Sequence, residues 1–234
     1  MIILRKTGDR GFFDHEWLET YHTFSFAGYY DPDHMGFRDL RVINEDKVQP
    51  GKGFETHPHK DMEIISYVME GALKHADSMG NSSVIKAGEV QRLTAGTGIT
   101  HSEHNPSDKE LVHFFQIWIL PTEEGLTPEY EQTQFPDEKK QGRMCLVASQ
   151  DGRDDSVTIN SNTMLYATML EKGEQVIYPM DQDRHAWVQV ARGAIRINGN
   201  DLAAGDGAAF SHETVLHLRG TSQEECEVLV FDLE

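Results

Sequence analysis

Two short segments concentrate residue types that bind metals. They are Gly51-Lys-Gly-Phe-Glu-Thr-His57-Pro-His59-Lys-Asp-Met-Glu63 and Gly96-Thr-Gly98-Ile-Thr-His101-Ser-Glu103-His-Asn105. In an extended chain, residues i and i+2 project from one face. His57 and His59 therefore point together from the first segment, and His101 and Glu103 from the second. If the segments pair, three imidazoles and one carboxylate converge. That donor set suits a first-row divalent metal better than Ca²⁺ or Mg²⁺, which take oxygen shells. A lone His-X-His is common on surface strands, so it is the joint pattern with its glycines that points to a site. Pro58 confines its strand to a sheet edge or a bulge. Glu63 shares the parity of His59 but lies ~13 Å further along a regular strand, which suits a supporting role. His104 has the opposite parity to Glu103 and faces away. His22, His34, His75 and His113 have no partner at ligand spacing and read as packing or surface histidines.

The elements that must position these groups are strands. Short apolar runs alternate with Gly, Asn, Asp and Pro clusters: Leu40–Ile43, Met62–Met69, Leu111–Leu120, Met144–Ala148, Met164–Leu170, Trp187–Val190 and Cys226–Phe231 among them. Amphipathic helix periodicity is scarce; residues 12–21 and 123–133 could each supply a short turn or helix. Val68-Met-Glu-Gly71-Ala72-Leu-Lys resembles Val190-Ala-Arg-Gly193-Ala194-Ile-Arg at an offset of 122 residues, and Ala87-Gly88-Glu89 resembles Ala204-Gly205-Asp206. The pattern predicts an all-β chain built from a duplicated module, with Pro121–Gly142 as connector.

The chain has 234 residues, 39 acidic against 21 basic, for a formal charge of −18, and 12 histidines. An acidic surface repels phosphate backbones, so direct nucleic-acid binding is disfavoured. The longest apolar stretch is half a bilayer-spanning helix, which disfavours a membrane role, and the N-terminus lacks the layout of a secretory signal. Cys145 and Cys226 form no metal-ligand spacing, and both thiols are expected to be buried and inert. The expectation is a cytoplasmic protein.

Gly51, His57, His59 and Glu63 resemble the first motif of the cupin superfamily, and Gly98, His101 and Asn105 the tail of its second. Gly71 arrives one residue late, and Gly96 stands where a proline is usual. Within cupins the chain resembles the pirin family, in particular its bacterial members with quercetin 2,3-dioxygenase activity. The carrying residues are His57-Pro-His59-Lys-Asp-Met-Glu63, Ala95-Gly-Thr-Gly-Ile-Thr-His101-Ser-Glu103-His-Asn-Pro106, Phe115-Gln-Ile-Trp118-Ile, Tyr21-His-Thr-Phe-Ser-Phe26 and Leu40-Arg-Val-Ile-Asn44. The resemblance implies a bicupin: two cupin-type β-barrels or jelly rolls with few short helices. Residues 1–135 would form a metal-binding N-terminal domain and 136–234 a C-terminal domain without metal ligands. Carrying the repeat offsets across, Pro179 and Asp181 match His57 and His59, and Leu218 and Gly220 match His101 and Glu103.

The resemblance further implies one divalent transition metal per chain, held by His57, His59, His101 and Glu103 with Glu63 excluded. Fe²⁺ is favoured, with Cu, Zn, Mn, Co or Ni as alternatives. The implied reaction is ring cleavage of a flavonol such as quercetin by O₂, with Glu103 as ligand and general base. Met62, Ile64, Phe115 and Ile117 are the candidates for apolar substrate walls. The rival expectation is a non-enzymatic metal-containing regulator acting through protein partners. A third is another cupin dioxygenase or isomerase, since one ligand set supports many reactions. A monomer is expected, because the duplicated module supplies its own packing partner.

Overall fold

The apolar runs separated by glycine turns fold as strands throughout the computed structural model, which describes residues 1–234. In the first half these are β1 (Ile2–Arg5), β2 (Gly11–Asp14), β3 (Leu18–His22), β4 (Leu40–Val48), β5 (Gly53–His59), β6 (Glu63–Glu70), β7 (Ala72–Asp77), β8 (Ser82–Lys86), β9 (Glu89–Thr94), β10 (Ile99–His104), β11 (Val112–Ile119) and β12 (Glu129–Gln134). The second half supplies β13 (Cys145–Ser149), β14 (Val157–Thr158), β15 (Met164–Leu170), β16 (Gln175–Pro179), β17 (His185–Arg192), β18 (Ala194–Ile197), β19 (Asn200–Ala203), β20 (Gly207–Ser211), β21 (Val215–Gly220) and β22 (Cys226–Leu233). The one α-helix, α1 (Asp137–Lys140), is a single turn. The 12–21 stretch is the β2–β3 hairpin rather than a helix, with Phe12 and Tyr21 packed across it. The 123–133 stretch is a loop running into β12, which is paired to β9.

Each half builds one seven-stranded and one four-stranded sheet. In the first the orders are β12-β9-β6-β11-β4-β3-β2 and β5-β10-β7-β8; in the second, β1-β20-β17-β22-β15-β13-β14 and β16-β21-β18-β19. The halves correspond strand for strand except at one edge, where β14 runs parallel to β13 while β2 runs antiparallel to β3. Gly71 (φ 71°) turns β6 into β7 and Gly193 (φ 70°) turns β17 into β18, a left-handed conformation that glycine adopts without a Cβ penalty. The expected N-terminal domain, 1–135, gives up its first strand: β1 crosses over and pairs with β20 of the second half, as β12 pairs with β9 in the first.

The two large sheets stack, and the largest apolar cluster lies between them. It draws Phe24, Ile65, Phe115 and Ile117 from one half and Trp187, Leu229 and Phe231 from the other. Inside the second half's own sandwich, 17 residues form one continuous apolar core. The corresponding space in the first half holds two small clusters, one around Val68 and Phe114 and one around Ile64 and Leu93. Buried polar residues lie on these same strands: Ser66, His75, Gln91, His101, Glu103 and Gln116.

Candidate metal centre

β5 and β10 pair antiparallel with His57 opposite His101 and His59 opposite Ile99. A bulge between His101 and Glu103 then sets Glu103 opposite Phe54. β5 is an edge strand, which accommodates Pro58 without an unmade ladder bond. Gly53 allows the two strands to close up beside the bulge, because a Cβ there would collide with the Glu103 carbonyl.

This register brings three of the four sequence-predicted ligands into one cluster. One ligand nitrogen from each of His57, His59 and His101 lies within 4.8 Å of the others, and the ring centroids are 4.5–4.8 Å apart. His57 Nδ1 faces the Glu55 carbonyl at 2.7 Å. A carbonyl only accepts, so the proton sits on Nδ1 and the Nε2 lone pair is free. His57 Nε2 and His101 Nε2 are 3.1 Å apart. Metal–nitrogen bonds of about 2.1 Å put two neighbouring ligands about 3.0–3.4 Å apart, so this pair fits a shared cation. Burial first, then neighbouring histidines, pushes His59 down to about 4 and holds His101 lower still. Both imidazoles are therefore neutral at pH 7, the form that ligates.

Glu103 faces the same cavity but stands outside the three-histidine cluster. Gln116 Nε2 donates to its Oε2 at 2.7 Å and Ser66 Oγ to its Oε1 at 3.2 Å. Burial raises its pKa to about 7 against these two donors, with Asp46 adding to the rise. A divalent cation beside it would reverse that shift. Glu63 is elsewhere, buried and bonded to Thr94 and Asn160. His104 is turned toward Glu55.

The cavity beside the histidines measures about 250 Å³ and is lined by Phe26, Phe54 and Trp118 together with Asn44, Asp46 and Gln116. The walls expected from Met62, Ile64, Phe115 and Ile117 lie elsewhere. Phe115 and Ile117 point into the core between the two large sheets, and Ile64 belongs to a small cluster with Met62 packed on it. β11 is buried on both faces, so its apolar run did not reveal which side faced the site. Gln116 and Trp118 are the residues it presents there. Asn44 Oδ1, Asp46 Oδ1 and Trp118 Nε1 are buried without a protein partner. A separate cavity of about 340 Å³, which includes Lys140, Arg192 and Glu227, shares no residue with this one.

Residues 4–119 match the Pirin family, and residues 146–233 match the quercetinase C-terminal cupin domain. The chain belongs to the pirin family. Its two sandwiches are the two cupin domains of a bicupin. The quercetin 2,3-dioxygenase of Escherichia coli K12 is 49% identical over 233 residues, covering 100% of this chain and 99% of the relative. The crystal structure of the E. coli bacterial pirin YhhW with nickel(II) superposes with a TM-score of 0.94 at 48% identity, covering 100% of this chain and 99% of that one. YhaK of E. coli gives 0.76 at 27% identity, with coverage of 94% and 96%.

In this pirin the strand registers also correct the expected match to the second domain. Glu103 opposes His75, and Leu218 opposes Ile197 in the corresponding pair. His101 opposes His57, and Leu216 opposes Tyr178. Tyr178, Leu216 and Leu218, not Pro179, Leu218 and Gly220, therefore stand at the places of His57, His101 and Glu103. The transfer slips because Leu216 follows Gly205 by 11 residues where His101 follows Gly88 by 13, and Tyr178 precedes Gly193 by 15 where His57 precedes Gly71 by 14. All three residues belong to the second domain's continuous apolar core. Cys226 is buried, Cys145 is half-buried, and both are free thiols. No helix is long and apolar enough to cross a membrane.

Proposed function

We propose that this pirin is a metal-dependent dioxygenase that cleaves the heterocyclic ring of a flavonol such as quercetin with O₂. The observation that carries the reading is a three-histidine cluster opening onto a small cavity with aromatic walls and two buried carboxylates, of which Glu103 shares a strand with His101. His57, His59 and His101 would hold the metal, with Glu103 as fourth ligand. A bound divalent transition metal supplies Lewis-acid polarisation of the substrate oxygens and a redox partner for O₂. Fe²⁺ remains the favoured ion, and the nickel complex of the E. coli relative supports Ni²⁺ as an accepted one.

The chain's own residues account for the rest. Phe26, Phe54 and Trp118 offer ring faces and edges to a flat aromatic body. Asn44 Oδ1, Asp46 Oδ1 and Trp118 Nε1 supply two acceptors and one donor that a polyhydroxylated ring would satisfy. Glu103 takes the 3-hydroxyl proton. Beside a bound cation its carboxyl would be ionised, the form that accepts a proton. Its Oε1, held only by the longer Ser66 contact, is the freer acceptor.

The test is aerobic quercetin consumption with release of CO, lost on chelation and restored by one metal ion per chain. Glu103→Gln should keep most of the metal and lose about 10²- to 10⁴-fold in kcat. Full turnover by that variant would remove Glu103 from the base role. Absence of turnover in every metal-loaded wild-type form would favour the regulator reading.

A further inference from the structure

Behind His101, on the side away from the other two histidines, lies a second buried pair that the sequence pattern did not connect to the site. His75 and Asp77, both on β7, have fully buried side chains. His75 Nε2 is 2.9 Å from Asp77 Oδ2. His75 Nδ1 is 3.1 Å from Gln91 Nε2, which donates to it, and 3.4 Å from His101 Nδ1. The Asp77 carboxylate is in turn fixed by Asn81 Nδ2 on Oδ2 and by the backbone N–H groups of Met79 and Asn81 on Oδ1.

With His75 neutral and the Gln91 amide nitrogen toward it, the protons in this chain have one consistent placement. Asp77 Oδ2 accepts, so His75 carries its proton on Nε2 and presents a lone pair at Nδ1. That lone pair lies between the Gln91 amide N–H and His101 Nδ1, and at 3.4 Å it favours a proton on His101 Nδ1 over a second, opposing lone pair. His101 Nε2 is then left as the bare nitrogen, and it is the one that faces His57 Nε2. Ligating histidines commonly donate their remote N–H to an acceptor that fixes tautomer and ring orientation and raises ligand basicity.

We infer that Asp77 and His75 form a buried relay that locks His101 in its metal-binding tautomer, making both positioning residues for the metal. The inference rests on the reading of His101 as a ligand. The second domain provides an independent comparison within the same chain. Leu218 stands at the place of Glu103, and the residue opposite it, at the place of His75, is Ile197 in the apolar core. The domain that lacks the ligands lacks this histidine as well.

The experiment is Co²⁺ titration of the full chain against a competing chelator, with the visible ligand-field spectrum recorded at saturation. His75→Phe removes the acceptor. Asp77→Asn is nearly isosteric; its amide can donate to His75 Nε2, which would then accept, leaving His75 Nδ1–H directed against His101 Nδ1. Such a swap imposes the wrong tautomer with little change of shape. Each should weaken Co²⁺ binding about 10- to 100-fold and shift the ligand-field bands. His75→Asn, which keeps an oxygen acceptor near the Nδ1 position, should restore binding to within a few fold of wild type.

Thermal unfolding of the metal-free variants separates turn stability at Asp77 from metal affinity. Asp77→Asn and His75→Phe that bind Co²⁺ as wild type does, with unshifted bands, would overturn the relay. His101→Ala is the control for the underlying reading. If it loses the metal while the relay variants do not, the site stands and the relay fails. If His101→Ala binds Co²⁺ like wild type, both fail.

Discussion

Three buried carboxylates near the site show how the nearest cation decides a protonation state. Glu103 and Asp46 have no cationic partner, and burial raises each to about 7. Glu45, one residue from Asp46, is treated differently. Burial would raise it as well, but His113 Nε2 at 3.1 Å and Arg10 Nη2 at 2.8 Å outweigh that and hold its carboxyl below the usual range. A metal beside Glu103 would act on it as Arg10 acts on Glu45. The sign for stability follows. Glu45 ionises more readily folded than unfolded, so its contribution is complete above the unfolded carboxyl value of about 4.3 and disappears as pH falls through the lower folded value. Glu45→Gln leaves Arg10 buried without its counter-charge and should cost about 3 kcal/mol at pH 6. The gap to wild type should close toward pH 3. Denaturant midpoints of both proteins across that range provide the check, and a gap that widens on acidification would contradict the assignment.

At the scale of elements, the site depends on how closely β5 approaches β10. The bulge after His101 and the absence of a Cβ at Gly53 together set that approach. Gly53→Ala would press a methyl group against the Glu103 carbonyl and push β5 outward, moving His57 and His59 relative to His101. The expected cost is about 1–3 kcal/mol of stability, accompanied by weaker metal binding. Denaturant unfolding and metal titration of the same variant measure the two effects. Unchanged metal affinity in a destabilised Gly53→Ala protein would show that the cluster tolerates movement of its edge strand. The turn before β10 is similarly constrained. Gly96 adopts φ 46° where a Cβ would strike the Leu126 carbonyl, so the 121–128 connection packs directly on the turn that leads to His101.

Across the whole molecule, apolar burial is distributed unevenly. The second domain keeps a continuous 17-residue core, while the first has small clusters of 7 and 4 residues. The 23-residue cluster between the large sheets must therefore support the first domain from outside. Tyr67, Glu227 and Lys140 add a buried hydrogen-bonded contact across the same junction. β1 reinforces the coupling by closing the β20 edge from the other end of the chain. The two domains should consequently unfold together. Phe115→Ala, at the centre of the shared core, should cost about 3–5 kcal/mol and lower a single calorimetric transition. Two resolved transitions, with only the first displaced, would show that the domains are independent.

The grouping of His57 and His59 with His101, and the placing of Glu103 on the same cavity, were legible in the sequence because strand parity is local: which face a residue takes depends only on its position in its own strand. The duplication was legible for a similar reason, since the left-handed turns at Gly71 and Gly193 leave a glycine in a fixed place. Ser66, Gln116, His75 and Asp77 carried no such signal. They reach the site from β6, β11 and β7, and their adjacency is set by sheet order and register. Phe115 and Ile117 were candidates for the cavity walls with no face assigned, because a strand buried on both sides loses its alternation. Parity within a strand is short-range chemistry written in the sequence. The carboxylate's two donors, the relay behind His101, the cavity walls and the crossing of β1 are contacts between distant strands, and only the packed structure decides them.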